Sequence, residues 1–298
     1  MKKFITSASL FVIILMPVCT YAQRGTVLRD QIAIITKPVN GIVGVSILGL
    51  ESRDTLTYNG NARLVMESVM KFPIALTVLH LVDTGKLSLG QTVRVTKREL
   101  PDIANSPLRG KYPHGNAHVP VSELLSDMVS FSDNNATDIL LKLIGGARRV
   151  QSYMLQLGIR GIAVRASEAD IASARELEYV NWAKPFEMTA LLDQFYNGKA
   201  LTKNSTGFLY KLMTETTTGP KRLKGLLPAG TIVAHKTGTS GTDAAGLTPA
   251  TNDVGIITLA NGKHLAIAVF VCNSTNDEAT REGVIAKIAK AAYDFYGK

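Results

Sequence analysis

The stretch Ser68-Val69-Met70-Lys71-Phe72-Pro73-Ile74-Ala75-Leu76 decides how the rest of the chain is read. A serine followed three residues later by a lysine places both side chains on one face of a helix, a turn apart. Pro73 is tolerated in the first helical turn, where its missing N–H is one of the orphans anyway, so it marks a helix start. Ser68 then sits at the amino end, where unpaired N–H groups and the helix dipole favour developing negative charge. Burial beside other cations would weaken the lysine's hold on its proton until it can accept one from the serine. The stretch is a nucleophile with its base attached, or a serine cap and a surface lysine. The pattern alone does not separate these readings.

Working outward, the helix runs to about Val82 and stops at Asp83-Thr84-Gly85, with the glycine just past its end. Upstream, residues 42–48 read as a strand and 54–58 as its partner, before a turn at Asn59-Gly60-Asn61. Downstream, residues 89–118 are polar and carry Pro101, Pro107 and Pro113, which reads as surface linking structure. Three helical patterns follow, over 120–128, 136–144 and 147–157, with Gly145-Gly146 and Gly158 as stops. Residues 159–184 have no clean period and read as a long loop, which at that length is usually functional. Residues 185–196 and 205–213 are again helical. From Thr231 the pattern turns to strands, with 254–259 and 265–271 flanking the hairpin signal Asn261-Gly262, and residues 278–296 form a closing helix. Two early strands, about three late ones and a helix at each terminus predict an α/β (α+β) fold. Its antiparallel sheet is assembled from both ends of the chain, with an all-helical part between them.

The first 22 residues read as a secretion signal: Lys2 and Lys3, an apolar core over 10–16, and Thr20-Tyr21-Ala22 as a small-x-small cleavage site. Met16-Pro17-Val18 ahead of Cys19 lacks the small residues of a lipoprotein site, so a free soluble product is expected. Removing 22 of 298 residues leaves 276, enough for one catalytic domain over 23–298. Its sheet lobe would cover about 23–65 and 215–298, and its helical lobe about 66–214. Cys19 leaves with the signal, so Cys272 remains alone and no internal disulfide is possible. No later run of eighteen apolar residues predicts stable membrane insertion. Loss of two lysines takes the formal charge from +9 to +7. No dense Lys/Arg block with interleaved aromatics accompanies it, which argues against a nucleic-acid partner.

Three further stretches carry chemistry. Ser132-Asp133-Asn134 interrupts two helices, where its short polar groups aim outward or simply cap the second helix. Lys236-Thr237-Gly238-Thr239-Ser240 follows an apolar strand and suits an anionic group, or else is a lysine-blunted edge. Glu168 lies in the irregular loop. Taken singly, each has a bland reading. Together, Ser-x-x-Lys, Ser-Asp-Asn and Lys-Thr-Gly occur in this order, 64 and then 104 residues apart, with the loop glutamate between the last two.

This set resembles the class A serine β-lactamases, a resemblance that covers essentially the whole mature chain. The stretches 215–220 (ETTTGP), 222–228 (RLKGLLP) and 234–241 (AHKTGTSG) look closest to the extended-spectrum branch named PER and VEB. The resemblance implies the serine β-lactamase and penicillin-binding protein transpeptidase-like fold, with the cleft between its two lobes. It implies Ser68 as the acylated nucleophile, Lys71 as its proton partner, Ser132 as the relay to the lactam nitrogen and Glu168 as activator of the deacylating water. Asn134 would hold the substrate side-chain amide, and Lys236, Thr237 and Thr239 the carboxylate. The backbone N–H groups of Ser68 and Thr239 would form the oxyanion hole. The partners implied are small β-lactams, acted on by a periplasmic monomer with no cofactor and no metal.

The sequence departs from that family's pattern in places. The arginine and aspartate that clamp the glutamate loop are matched by Ala166 and Asn181, and the amide that co-holds the hydrolytic water by Ala172. Ile103-Ala104-Asn105-Ser106 supplies no aromatic at the cleft edge, and Glu67 stands where disulfide-containing carbapenemases have a cysteine. The arginine after Lys-Thr-Gly is missing, with Gly246 near its place, so Arg222 is the natural anchor for the carboxylate. Two other readings share much of the pattern. One is a penicillin-binding D-alanyl-D-alanine carboxypeptidase or transpeptidase, the other a non-catalytic envelope protein that binds β-lactam or peptidoglycan.

Overall fold

The structure, a computed structural model, describes residues 18–298. The leader's charged start and apolar core lie outside the described residues, and the expected cleavage after Ala22 falls within α1 (Val18–Thr36). From α1 the chain enters β1 (Ile42–Gly49), β2 (Thr55–Tyr58) and the short β3 (Leu64–Val65). A 3₁₀ turn over Glu67–Met70 runs into α2 (Lys71–Asp83), and Gly85 follows in the left-handed region at φ 70°. The 89–118 stretch is more ordered than expected. Within it β4 (Thr92–Val95) pairs antiparallel with β5 (Ala117–Pro120), and α3 (Pro107–Lys111) lies between them. The predicted helical block appears as α4 (Val121–Ser130), α5 (Asn134–Leu143) and α6 (Ala147–Gln156). Residues 159–184 are not a structureless loop: β6 (Ile162–Ala163), α7 (Glu168–Ser173), a 3₁₀ stretch over Arg175–Val180 and β7 (Trp182–Ala183) fill them. Next come α8 (Pro185–Tyr196), α9 (Lys203–Thr214), β8 (Val233–Thr239), β9 (Thr248–Thr258), β10 (His264–Ser274) and α10 (Glu278–Tyr296).

The main sheet has the order β2-β1-β10-β9-β8, every pair antiparallel, so strands from both ends of the chain meet at its centre as expected. Asn261-Gly262 closes the β9–β10 hairpin, Gly262 at φ 78° and Leu259 N–H donating to the Lys263 carbonyl at 2.8 Å. Alternation along the strands explains why both faces are apolar. Val43, Val45, Ile47, Ile267, Val269 and Val271 pack with Leu28 and Ile32 of α1 and Val284, Ile285 and Ile288 of α10. The opposite side chains, among them Leu48, Ala266, Ala268 and Phe270, join the core of the helical part. Each such fully buried large side chain is worth roughly 1.5–3 kcal/mol over its exposed state.

Helix α2 is apolar all round because it is buried all round: Lys71 to Leu79 are all inaccessible, and Phe72 meets Phe195 of α8 edge-on at 5.5 Å. The turn before α2 lies against β8, and Gly238 makes that contact possible. A Cβ there would come within 2.3 Å of the Met66 carbonyl oxygen. Ser68 is thereby brought beside the strand that carries Lys236, Thr237 and Thr239.

Candidate active site

Lys71 is fully buried, and its Nζ donates to Ser68 Oγ at 2.9 Å, to the Ser132 carbonyl at 2.8 Å and to Asn134 Oδ1 at 2.6 Å. Ser132 Oγ lies 3.3 Å and Glu168 Oε1 3.0 Å from the same nitrogen, the latter an ion pair. One ammonium thus joins four of the side chains singled out in the sequence. A buried cation needs such a shell, since an unpaired one would neutralise instead. Ser68 itself is partly accessible, in the 3₁₀ turn rather than at a helix cap.

The Ser132-Asp133-Asn134 stretch divides its work. Asp133 is the cap: its carboxylate accepts from Ala136 N–H at 2.8 Å, and also from Leu108 N–H at 2.6 Å, which ties α5 to α3. Ser132 takes φ 60°, a left-handed conformation uncommon for a residue with a side chain. Its carbonyl accepts from Lys71 Nζ and, at 2.7 Å, from Asn105 Nδ2. Asn134 accepts from Lys71 and donates to the Ala104 carbonyl at 2.8 Å. Asn105, remarked in the sequence only for not being aromatic, is therefore part of the scaffold.

On β8, Lys236 Nζ donates to Ser132 Oγ at 3.0 Å and to the Thr237 carbonyl at 3.1 Å, so the Ser132 hydroxyl bridges the two lysines. Full burial and then the Lys71 ammonium hold Lys236 well below the usual lysine range, against the pull of Asp253 and Glu168. Thr237 Oγ1 is 2.5 Å from Thr218 Oγ1, and Thr239 is exposed at the strand end.

Arg222 differs from the expected open anchor. It is buried, with Nε on Glu282 Oε1 at 3.0 Å and Nη1 on the carbonyls of Gly238 and Asn252, both at 3.0 Å. Only Nη2 faces the site, donating to Thr239 Oγ1 at 2.8 Å. The Glu282 partner and the carbonyls of two strands claim the bidentate edge, so Arg222 braces Thr239 rather than presenting a free fork. The 60 residues between Arg222 and Glu282 kept this pairing out of the sequence reading.

Glu168 opens α7 and is 6% exposed. Both oxygens of Asp138, on α5, accept from the start of that helix: Glu168 N–H and Ala169 N–H, each at 2.8 Å. Burial, against those two bonds, pushes the Asp138 carboxyl up to about 6. Asn181 replaces the missing clamp with its amide. Its Oδ1 accepts from Arg165 and Ala166 N–H at 2.7 and 3.0 Å, and its Nδ2 donates to the Ala166 carbonyl at 2.9 Å. Asp170, two residues on, is exposed and engaged in a capping box with Ser167. Ala172 is exposed.

The arrangement can do acyl transfer: an accessible hydroxyl, a lysine bonded to it, a carboxylate paired with that lysine, and a second hydroxyl between two cations. Among the described residues no group of three or more His, Cys, Asp or Glu side chains is placed to hold a metal ion. Among them, too, no helix is long and apolar enough to cross a membrane.

Residues 27–296 match the model of the beta-lactamase enzyme family. The extended-spectrum beta-lactamase PER-1 of Pseudomonas aeruginosa is 41% identical over 294 residues, 99% of this chain and 95% of that protein. Beta-lactamase VEB-1 of the same organism is 43% identical over 264 residues, 88% of each chain. A crystal structure of a beta-lactamase from Chitinophaga pinensis superposes with a TM-score of 0.88 at 49% identity, covering 90% of this chain and 98% of that one.

Proposed function

The chain belongs to the beta-lactamase enzyme family, class A, and from that premise we propose how it hydrolyses the β-lactam amide of penicillins and cephalosporins, as an extended-spectrum cephalosporinase that confers resistance. Ser68 Oγ attacks the lactam carbonyl carbon while the backbone N–H groups of Ser68 and Thr239 receive the oxyanion, each such donor being worth about 2.7–4 kcal/mol. Before it can take the serine proton, the Lys71 ammonium passes its own to Glu168, 3.0 Å away. The C–N bond then breaks, and the ring nitrogen takes a proton from Lys71 through Ser132 Oγ. Glu168 returns its proton to Lys71 and, as a carboxylate again, accepts one from the water that attacks the ester. Ser68 leaves as the free hydroxyl, taking a proton from Lys71 that Glu168 replaces with the one gained from water. Lys236, Thr237 and Thr239, braced by Arg222, receive the substrate carboxylate, and Asn134 its side-chain amide.

The observation that carries this reading is the single Lys71 ammonium in contact with Ser68, Ser132, Asn134 and Glu168. Residues 23–298 act as one catalytic unit of two lobes, secreted to the periplasm after loss of residues 1–22 and working as a monomer without cofactor. Turnover of a chromogenic cephalosporin tests it. Sustained hydrolysis over many equivalents is expected, whereas a single stoichiometric burst would make the protein a β-lactam-binding or penicillin-binding protein instead.

A further inference from the structure

Glu67, directly before the nucleophile, has no part in the chemistry above, yet it is 8% exposed and held at φ 48°. Such a conformation in a residue with a side chain costs on the order of 1–3 kcal/mol and persists only where its surroundings impose it. Among the described residues its Oε1 and Glu178 Oε2 have no hydrogen-bond partner, and Ser240 Oγ is the hydroxyl placed to donate to the Glu67 carboxylate. Glu178 belongs to the 3₁₀ stretch that follows α7, which packs on β3 just before the nucleophile turn, and Ser240 follows β8, which packs on that turn, so the three meet there. Glu178 and then Glu168 repel the Glu67 anion, the Ser240 hydroxyl and then Lys71 favour it, and Cys272 on β10 is its apolar-side neighbour. Glu178 has only a distant cation, Arg175 at 4.0 Å, which also faces Asp243 at 3.6 Å.

We infer that Glu67 and Glu178 share a proton and thereby latch the Glu168 loop onto the nucleophile turn, so that Glu67 is a positioning residue for deacylation. Two carboxylates facing each other in a buried site cannot both ionise without repulsion, whereas one proton between them turns the repulsion into a hydrogen bond. Burial, together with Glu178 and Glu168, pushes the Glu67 carboxyl up to about 8. At neutral pH the latch is closed. Above about pH 8 the second charge appears next to Glu178 and pushes the loop, with Glu168 on it, away from Ser68.

A carboxyl whose folded value lies above its usual 4.5 keeps its proton in the fold while the unfolded chain has lost it. The fold is therefore destabilised progressively from pH 4.5 to about 8 and levels off above that.

The inference rests on the hydrolytic reading only for its kinetic arm. Melting temperatures of the mature protein, Glu67→Gln and Glu178→Gln are measured from pH 5 to 9. A melting temperature that declines from pH 5 to about 8 and levels off above it in the wild type, with the decline lost in Glu67→Gln and reduced in Glu178→Gln, supports the latch, and parallel curves overturn it. Glu178→Gln serves where Glu67→Gln does not fold. In parallel, the deacylation rate constant is followed against pH. The wild type should lose about tenfold between pH 7 and 9, the fraction of a group near 8 still protonated there, while Glu67→Gln keeps its rate. The same alkaline loss in both would overturn the positioning role. Absence of any turnover in the wild type would instead remove the hydrolytic reading, and the melts would decide the carboxyl pair.

Discussion

Replacing Arg222 by alanine should damage both stability and catalysis, and the structure sets the proportion. The guanidinium makes four donated bonds: one to Glu282, two to the Gly238 and Asn252 carbonyls and one to Thr239 Oγ1. The change leaves a nearly buried carboxylate without its cation and two strand carbonyls without a donor. Breaking a buried pair from one side costs about 3–5 kcal/mol. Arg281 is also buried close by, held by Thr251 Oγ1 at 2.9 Å, and the charge of Arg222 helps to push its proton affinity down. Losing Arg222 relieves that repulsion and leaves Glu282 within the field of Arg281, so the lower end, about 3 kcal/mol, is expected. At roughly 2–4 °C per kcal/mol for a domain somewhat smaller than this one, the melting temperature should fall by about 6–12 °C. Thr239 loses its brace as well, and kcat/KM for a cephalosporin should fall about ten- to a hundredfold, or about 1.4–2.8 kcal/mol. Thermal melts and steady-state kinetics well below the transition measure the two separately. A fall of under 2 °C would refute the buried-pair argument, and a kcat/KM within twofold of wild type would refute the brace.

Ser68→Ala should abolish covalent labelling by any β-lactam, and an adduct on the variant by intact mass spectrometry would place the nucleophile elsewhere. Cys272, buried on β10 with its thiol pushed up to about 12, should resist thiol reagents until the protein unfolds, and reductant should leave the melting temperature unchanged. Fast labelling of the native protein would contradict that burial. Gly238→Ala should destabilise by about 1–3 kcal/mol and depress kcat, because the new Cβ meets the Met66 carbonyl backbone at 2.3 Å. An unchanged denaturation midpoint would contradict the close packing of β8 on the nucleophile turn.

The parts of the fold legible in the sequence were those dictated by local pattern. Alternating apolar strands, Asn261-Gly262 and the Pro73 helix start led to an antiparallel sheet built from both ends of the chain and to α2. The polar segments were not legible because distant partners order them. Asp133 caps its own helix but also holds Leu108 from 25 residues away, and Asp138 holds the start of α7 from 30. Asn181 was read as a lost ion pair, whereas its amide meets both the N–H and the carbonyl of Ala166, a substitution visible only once the loop is closed. Arg222 lies beside Thr239 as read, but its bonds to Glu282 and to two strand carbonyls were not legible, since nothing local announces Glu282. Glu67 looked merely like the absence of a cysteine, and its burial beside Glu178 depends on three elements that meet only in the fold.

The central claim is that Glu168 drives the second half of a two-step reaction begun by Ser68. Glu168→Gln keeps the side chain's shape and its place at the start of α7, but its amide cannot take a proton from water. Stopped-flow turnover of a cephalosporin, with mass spectrometry of the quenched variant, measures acylation and deacylation apart. The expected result is a burst followed by a long-lived adduct on Ser68, with deacylation slowed at least about a hundredfold, within the usual worth of a general base. Near-normal multiple turnover without an accumulating adduct would contradict the account.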